Sequence, residues 1–196
     1  MTAHRFALVV CVFFICALSA CRKVESFIDE SRRFEAFQGA TEQFSLAATP
    51  REIQRLVVNF YAPDCPPCEK EIPAIKKFYE KYRNNKAIGF FAIGSSLKAI
   101  EQNPKPGKDP PVSREQIRSE LKQFSQKYAS DWPQYLADGE DLRAWRITGF
   151  PETFLFVRVN DRWQLSRKII SEISFETLES FAAGGAAQEN SVGSYR

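Results

Sequence analysis

The sequence predicts an α/β domain, a central mixed β-sheet flanked by helices with an N-terminal hairpin extension, and three observations predict it. A compact apolar run, Leu56–Tyr61, is followed by a helical pattern over Cys65–Arg83 and by a second apolar run, Ile88–Ile93. Strand, helix and strand within about 40 residues form a right-handed βαβ unit with parallel pairing. Two later strands, Thr153–Val159 and Trp163–Ile170, meet across Asn160-Asp161 as an antiparallel hairpin. Capped helical patterns between these units supply the flanking layers.

The elements follow in order. Phe34 to Leu46 alternates moderately and reads as a hairpin turning at Gln38-Gly39. Thr49-Pro50-Arg51-Glu52 has the residues of a helix start: threonine caps, proline fits the first helical position, and Glu52 closes a capping box. In the Cys65–Arg83 helix, Ile72, Ile75, Phe78, Tyr79 and Tyr82 recur on one face. Asn103–Val112 contains four prolines and reads as a loop. Ser113-Arg114-Glu115-Gln116 offers a second capping box, and Ile117, Leu121, Phe124 and Tyr128 follow at helical spacing. A short helix is expected around Asp141–Trp145. Ser174 caps a final helix carrying Phe175, Leu178 and Phe181 on one face. Gly184-Gly185 ends it, and residues 184–196 are expected to be a disordered tail.

A chain of 196 residues holds one such domain, placed at 33–183, plus a targeting segment and tails. The net charge of +3 is too small to argue for nucleic acid as a partner. One apolar stretch stands out, at the start. Met1-Thr2-Ala3-His4-Arg5 is a short basic head, and Phe6–Leu18 runs apolar. That is the layout of a secretory signal, and it falls short of the roughly 20 apolar residues of a spanning helix. Leu18-Ser19-Ala20-Cys21 resembles the lipobox of bacterial lipoproteins. The resemblance implies cleavage before Cys21, a lipid on Cys21, residues 1–20 as signal peptide and 21–32 as a tether. It places the domain on a bacterial membrane, facing the periplasm or the cell exterior. The alternative is an uncleaved anchor with an incidental cysteine.

The cysteine count then changes. Of five cysteines, Cys11 and Cys16 leave with the signal and Cys21 carries lipid, so Cys65 and Cys68 remain as thiols. Arg5 and His4 leave too, so the mature chain has 26 basic and 24 acidic residues and no histidine. A structural zinc site normally takes four cysteine or histidine ligands, so no metal is expected here. The lack of histidine also argues against a histidine-dependent copper carrier. An inert structural disulfide is the other bland reading. Such bonds usually close longer loops, and one spanning Pro66-Pro67 constrains almost nothing. Redox exchange fits better. Cys65 falls at a helix N-terminus, where free N–H groups and the dipole favour the thiolate that attacks disulfides. Cys68, one turn further in, is expected to be less exposed and to resolve the mixed disulfide. No cofactor beyond the dithiol is expected.

The segment Val57-Val58-Asn59-Phe60-Tyr61-Ala62-Pro63-Asp64-Cys65-Pro66-Pro67-Cys68-Glu69-Lys70-Glu71-Ile72-Pro73 closely resembles the active-site segment of membrane-anchored thioredoxin-like reductases of the TlpA/ResA type. A distant second segment, Ile147-Thr148-Gly149-Phe150-Pro151-Glu152-Thr153-Phe154-Leu155, is similar to the family's cis-proline segment. The resemblance covers roughly residues 33–183, specific at these two motifs and loose between them. It implies a thioredoxin-like fold, with Cys65 as nucleophile and Cys68 as resolving thiol. Glu71 matches an acidic residue that tunes the dithiol; the bland reading is an exposed helix carboxylate. Pro73 matches a proline within the active-site helix. Pro151 matches a cis-proline facing the dithiol, against an ordinary trans turn. The backbone at Phe150 is then free to pair with a bound peptide as an added strand, and Pro66 and Pro67 lie on the same substrate face. Asn59 stands where cytoplasmic thioredoxins carry a buried aspartate.

The sequence departs from this pattern in three places. Asp64 replaces the usual tryptophan before the first cysteine, Tyr61 stands where tryptophan is frequent, and the Pro-rich loop at 103–112 looks like an insertion. The expected function is reduction of disulfides in exported proteins, with electrons from a membrane-embedded thiol donor. The alternatives are a disulfide-donating oxidase and a binding or chaperone module whose thiols do not turn over. Strong oxidases of this fold carry histidine where Pro67 stands. Pro66 and Pro67 also lack N–H groups, and Asp64 adds negative charge, so the thiolate is less stabilised and the potential lower. It is expected nearer thioredoxin, about −270 mV, than the oxidant DsbA, about −120 mV.

Overall fold

Two apolar strands at the centre organise the molecule, here described from a computed structural model covering residues 28–40, 42–101 and 112–184. These are β2 (Arg55–Tyr61) and β3 (Ile88–Gly94), paired in parallel and joined by helix α1 (Pro66–Tyr82). Six strands share one sheet in the order β1-β4-β3-β2-β5-β6. Strands β5 (Glu152–Val159) and β6 (Arg162–Ile170) form the antiparallel hairpin, and β5 runs antiparallel to β2. The sheet is therefore mixed. Strand β4 (Gln134–Leu136) lies parallel to β3, and β1 (Glu35–Gln38) closes that edge antiparallel to β4.

Strand alternation sends side chains to two layers. Val57 and Tyr61 of β2 and Leu155 of β5 face α1, α3 (Arg114–Tyr128) and α5 (Phe175–Ala182). Leu56, Val58, Phe60, Phe154 and Phe156 face the other way, into an aromatic cluster centred on Trp145. Two short helices, α2 (Leu97–Glu101) and α4 (Gly139–Ala144), lie on that second side. Gly94 ends β3 where a Cβ would come within 2.4 Å of Leu121 and 3.0 Å of the Tyr61 ring, so only glycine lets α3 pack this closely. Among the described residues no helix is long and apolar enough to cross a membrane.

Several expectations are corrected. The hairpin expected over Phe34–Leu46 is reduced to one antiparallel bridge, Phe34 with Phe44. Phe44 and Leu46 are drawn into the aromatic core, and β1 pairs instead with β4. The helix expected at Thr49 is a pair of tight turns. The Thr49 hydroxyl donates to the Ser45 carbonyl and so does not cap, and β2 begins at Arg55, too soon for a helix. The short helix starts at Gly139, two residues before its expected start, because Asp138 caps it and accepts from the N–H groups of Glu140 and Asp141. The caps at Ser113 and Ser174 are present as read.

The domain's first contacts come before residue 33. Arg32 bonds to the carboxylate of Asp141, which is buried and also held by Arg114. The expected signal, Cys21, the loop 103–111 and the tail beyond Gly184 lie outside the described residues.

Candidate active site

Strand β2 delivers the chain to the dithiol. After Tyr61 it passes Ala62, Pro63 and Asp64 and enters α1 at Cys65, which is the N-cap in an extended conformation. Asp64 takes φ +54°, a left-handed conformation that aspartate tolerates better than most residues. Pro66 and Pro67 occupy the first two helical positions, where their missing N–H groups leave no intrahelical bond unmade. Cys65 and Cys68 are joined by a disulfide with Cα atoms 5.2 Å apart.

The expectation that both prolines strip Cys65 of donors holds only for those two positions. The Cys68 N–H, at the third, donates to the Cys65 sulfur at 3.3 Å. The expected difference in exposure is also small, 3% for Cys65 against 1% for Cys68. Pro66 beside them is exposed.

One turn further along α1, Glu71 points into the protein and is 2% exposed. That removes the solvated-carboxylate reading. Its Oε1 accepts from Asn59 Nδ2 at 2.9 Å and its Oε2 from the Ile173 N–H at 3.0 Å. Asn59 also donates to the Thr153 hydroxyl at 3.0 Å. No cation is among these partners. Burial therefore dominates and raises the Glu71 carboxyl to about 7, against the opposing pull of the two hydrogen bonds. A cavity of about 10 Å³ lies among Cys68, Glu71, Asn59, Tyr61 and Phe124.

The second motif sits at the adjoining strand end. The Phe150–Pro151 bond is cis. Glu152 pairs with Phe60 and Thr153 with Asn59, so Pro151 precedes β5 beside the end of β2, from which the Cys65 loop departs. Phe150 is half-buried and packs against both cores. The fold thus gathers Cys65, Pro66, Pro67, Cys68, Glu71, Phe150 and Pro151 at one end of the sheet.

Sequence reasoning missed two groups there. Glu152 is fully buried and ion-paired with Lys168 at 2.7 Å. Its only signal was a charge heading a largely apolar strand. Tyr61 donates to the Gln134 side-chain oxygen, which also accepts from Ser125. No local pattern announced that link, because its ends are 73 residues apart.

With the site in view, comparison with known proteins is decisive at the family level. Residues 29–140, more than half of the chain, match the AhpC/TSA family. The chain belongs to that family. This AhpC/TSA protein is similar to sporulation thiol-disulfide oxidoreductase A of Bacillus subtilis (strain 168), 24% identical over 131 residues, or 66% of this chain and 67% of that one. Its fold matches the crystal structure of StoA from Bacillus subtilis at a TM-score of 0.55 and 20% identity, covering 77% of this chain and 96% of that one. It also matches a putative thiol:disulfide interchange protein DsbE from Chlorobium tepidum, at a TM-score of 0.56 and 17% identity, covering 80% and 94%. The fold is thioredoxin-like.

Proposed function

We propose that this chain is a thiol-disulfide oxidoreductase that reduces disulfides in exported proteins through Cys65 and Cys68. The observation that carries the reading is the redox pair at the N-terminus of α1 with a buried, cation-free carboxyl one turn behind it. The name of the curated relative, a thiol-disulfide oxidoreductase, supports it.

In the reduced protein the Cys65 thiolate attacks one sulfur of a substrate disulfide and expels the other as a thiolate. The product is a mixed disulfide. The Cys68 thiol then loses its proton and attacks the Cys65 sulfur. The substrate leaves with both sulfurs reduced, and the Cys65–Cys68 disulfide holds the two electrons' deficit. Glu71, raised to about 7, is suited to accept the Cys68 proton in that step. A separate dithiol must then reduce the pair, and a membrane-embedded thiol carrier fits an exported protein. Anchoring follows from Cys21 in its lipobox-like setting. A single acyl chain binds membranes only marginally, so stable anchoring calls for more than one.

The test is disulfide reduction by the full chain with a dithiol reductant. Wild type is expected to turn over. Cys65→Ser is expected to be inactive, and Cys68→Ser to accumulate a mixed disulfide with its substrate. Turnover unaffected by Cys65→Ser would sink the reading, and binding without turnover would leave a chaperone module. Redox equilibration against glutathione decides direction: a potential near that of DsbA would make the protein an oxidase. Cys21→Ala is expected to abolish incorporation of labelled fatty acid, and equal labelling would refute the anchor.

A further inference from the structure

The carboxylate at the head of β5 lies on the sheet face opposite the dithiol helix. Glu152 has no exposed surface. Its Oε1 accepts three hydrogen bonds from one short segment: the Thr148 N–H at 2.8 Å, the Thr148 hydroxyl, and the Gly149 N–H at 3.2 Å. Its Oε2 lies 2.7 Å from Lys168 Nζ, an ion pair. Lys168, on the neighbouring strand β6, donates to the Arg146 carbonyl at 2.9 Å. Two side chains on two strands thus hold residues 146, 148 and 149.

Ile147 anchors the middle of this turn in the aromatic core, and its N–H donates to the Leu142 carbonyl, but packing does not hold the two residues that follow. A side chain added at Gly149 would meet nothing within 4 Å, and Thr148 is exposed. Arg146 is in the left-handed region at φ +50° without being glycine. A strand would be served as well by threonine or valine, and a buried carboxylate is costly unless paired and hydrogen-bonded. Every hydrogen-bond donor to Glu152 lies in the segment that runs straight into Phe150 and Pro151.

We infer that Glu152 and Lys168 are positioning residues that hold the 146–149 turn, and through it the Phe150 backbone, in the geometry that receives a substrate polypeptide as an added strand. The inference rests on the reading of Cys65 and Cys68 as an exchange site. It assigns the pair to substrate engagement, with no part in the thiol chemistry itself.

The test uses the full chain and the variants Glu152→Gln, Lys168→Met and Lys168→Arg. For reduction of insulin, KM is expected to rise about tenfold in Glu152→Gln and by a smaller factor in Lys168→Met, with kcat within about twofold. Lys168→Arg is expected to restore KM. The rate of Cys65 alkylation by iodoacetamide, followed across pH, is expected to be unchanged in all three. Amide hydrogen exchange at residues 146–150 is expected to accelerate in the first two variants. Unchanged exchange and unchanged KM would overturn the inference. A shifted alkylation profile would also overturn it, by placing Glu152 in the acid–base chemistry of the dithiol. Should Glu152→Gln fail to fold, Lys168→Met carries both readouts. Should wild type reduce no disulfide, the exchange reading fails, and hydrogen exchange still decides whether the pair holds the turn.

Discussion

The two faces of the sheet are built from different materials. Behind β2 and β5, away from the dithiol, the core is aromatic: Trp145 has Phe34, Phe60 and Phe154 rings 5.2–5.4 Å away and Phe156 at 6.1 Å. On the dithiol side the same two strands present Asn59, which donates to Glu71 and to the Thr153 hydroxyl, and Tyr61, which donates to the Gln134 oxygen that Ser125 also donates to. The carboxyl buried there, Glu71, has only neutral hydrogen-bond partners, whereas Glu152 and Asp141, buried on the other side, are ion-paired with Lys168 and with Arg32 and Arg114. The difference teaches that one face carries stability and the other carries an environment. The aromatic face fixes the position of the strands. The polar face spends part of that stability on a carboxyl whose proton is available near neutral pH.

The largest expected effect tests the aromatic face. Trp145 is 1% exposed, and among the described residues its Nε1 has no hydrogen-bond partner, so its contribution is packing. Trp145→Ala is expected to destabilise the protein by about 3–5 kcal/mol in chemical denaturation. Trp145→Phe, which keeps a ring and removes the unpartnered N–H, is expected to cost clearly less. Cys65 alkylation in whatever folds should match wild type. An equal cost for the two variants, or an altered alkylation rate, would break the division between the faces.

Glu71 tests the other face, and the sign is definite. Burial raises its carboxyl from 4.5 to about 7. Between those values the unfolded chain has released a proton that the folded protein keeps, so stability falls as pH rises through the window and levels off above it. The full loss is roughly 3 kcal/mol, an upper figure because partial hydration softens it. Glu71→Gln is expected to flatten this part of the stability curve between pH 5 and 8. It should also remove the inflection near pH 7 from the resolving step. A wild-type curve that rises with pH in that window would show the carboxyl ionised in the fold, and the polar face would then be structural.

Much of this was legible in the sequence, and the boundary has physical causes. The βαβ unit reads out because both strands are covered on both faces and so appear as unbroken apolar runs. The helix starts at Ser113 and Ser174 read out because capping is chemistry within four residues. Strand β4 is three residues long and owes its existence to β3 and β1, so no local pattern marks it. The same applies to β1, whose partner lies about a hundred residues on. The helix start at Thr49 was misleading because cap residues also make turns. The burial of Glu71 was readable: it stands three residues after Cys68 and four before Ile75, on the apolar stripe of α1. Its partner at Ile173 was not, since that contact spans 102 residues.

The smallest expected effect concerns charge at the mouth of the site, where neither face reaches. Asp64 is exposed and adjacent to Cys65. A carboxylate there opposes a developing thiolate, while the Cys68 N–H, aimed at the same sulfur, favours it. Asp64→Asn removes the charge and keeps a side chain that tolerates the left-handed backbone at φ +54°. Alanine would strain that turn and mix two effects. Across water-exposed distances a unit charge is worth only a few tenths of a kcal/mol, so Cys65 alkylation at pH 7 should quicken by less than about threefold. In 1 M salt, where screening acts over about 3 Å, the variant and wild type should converge. A slower variant would mean that Asp64 aids the thiolate through the turn it shapes. A larger, salt-resistant gain would mean that the charge acts through the protein interior, and the mouth of the site would then belong to the polar face.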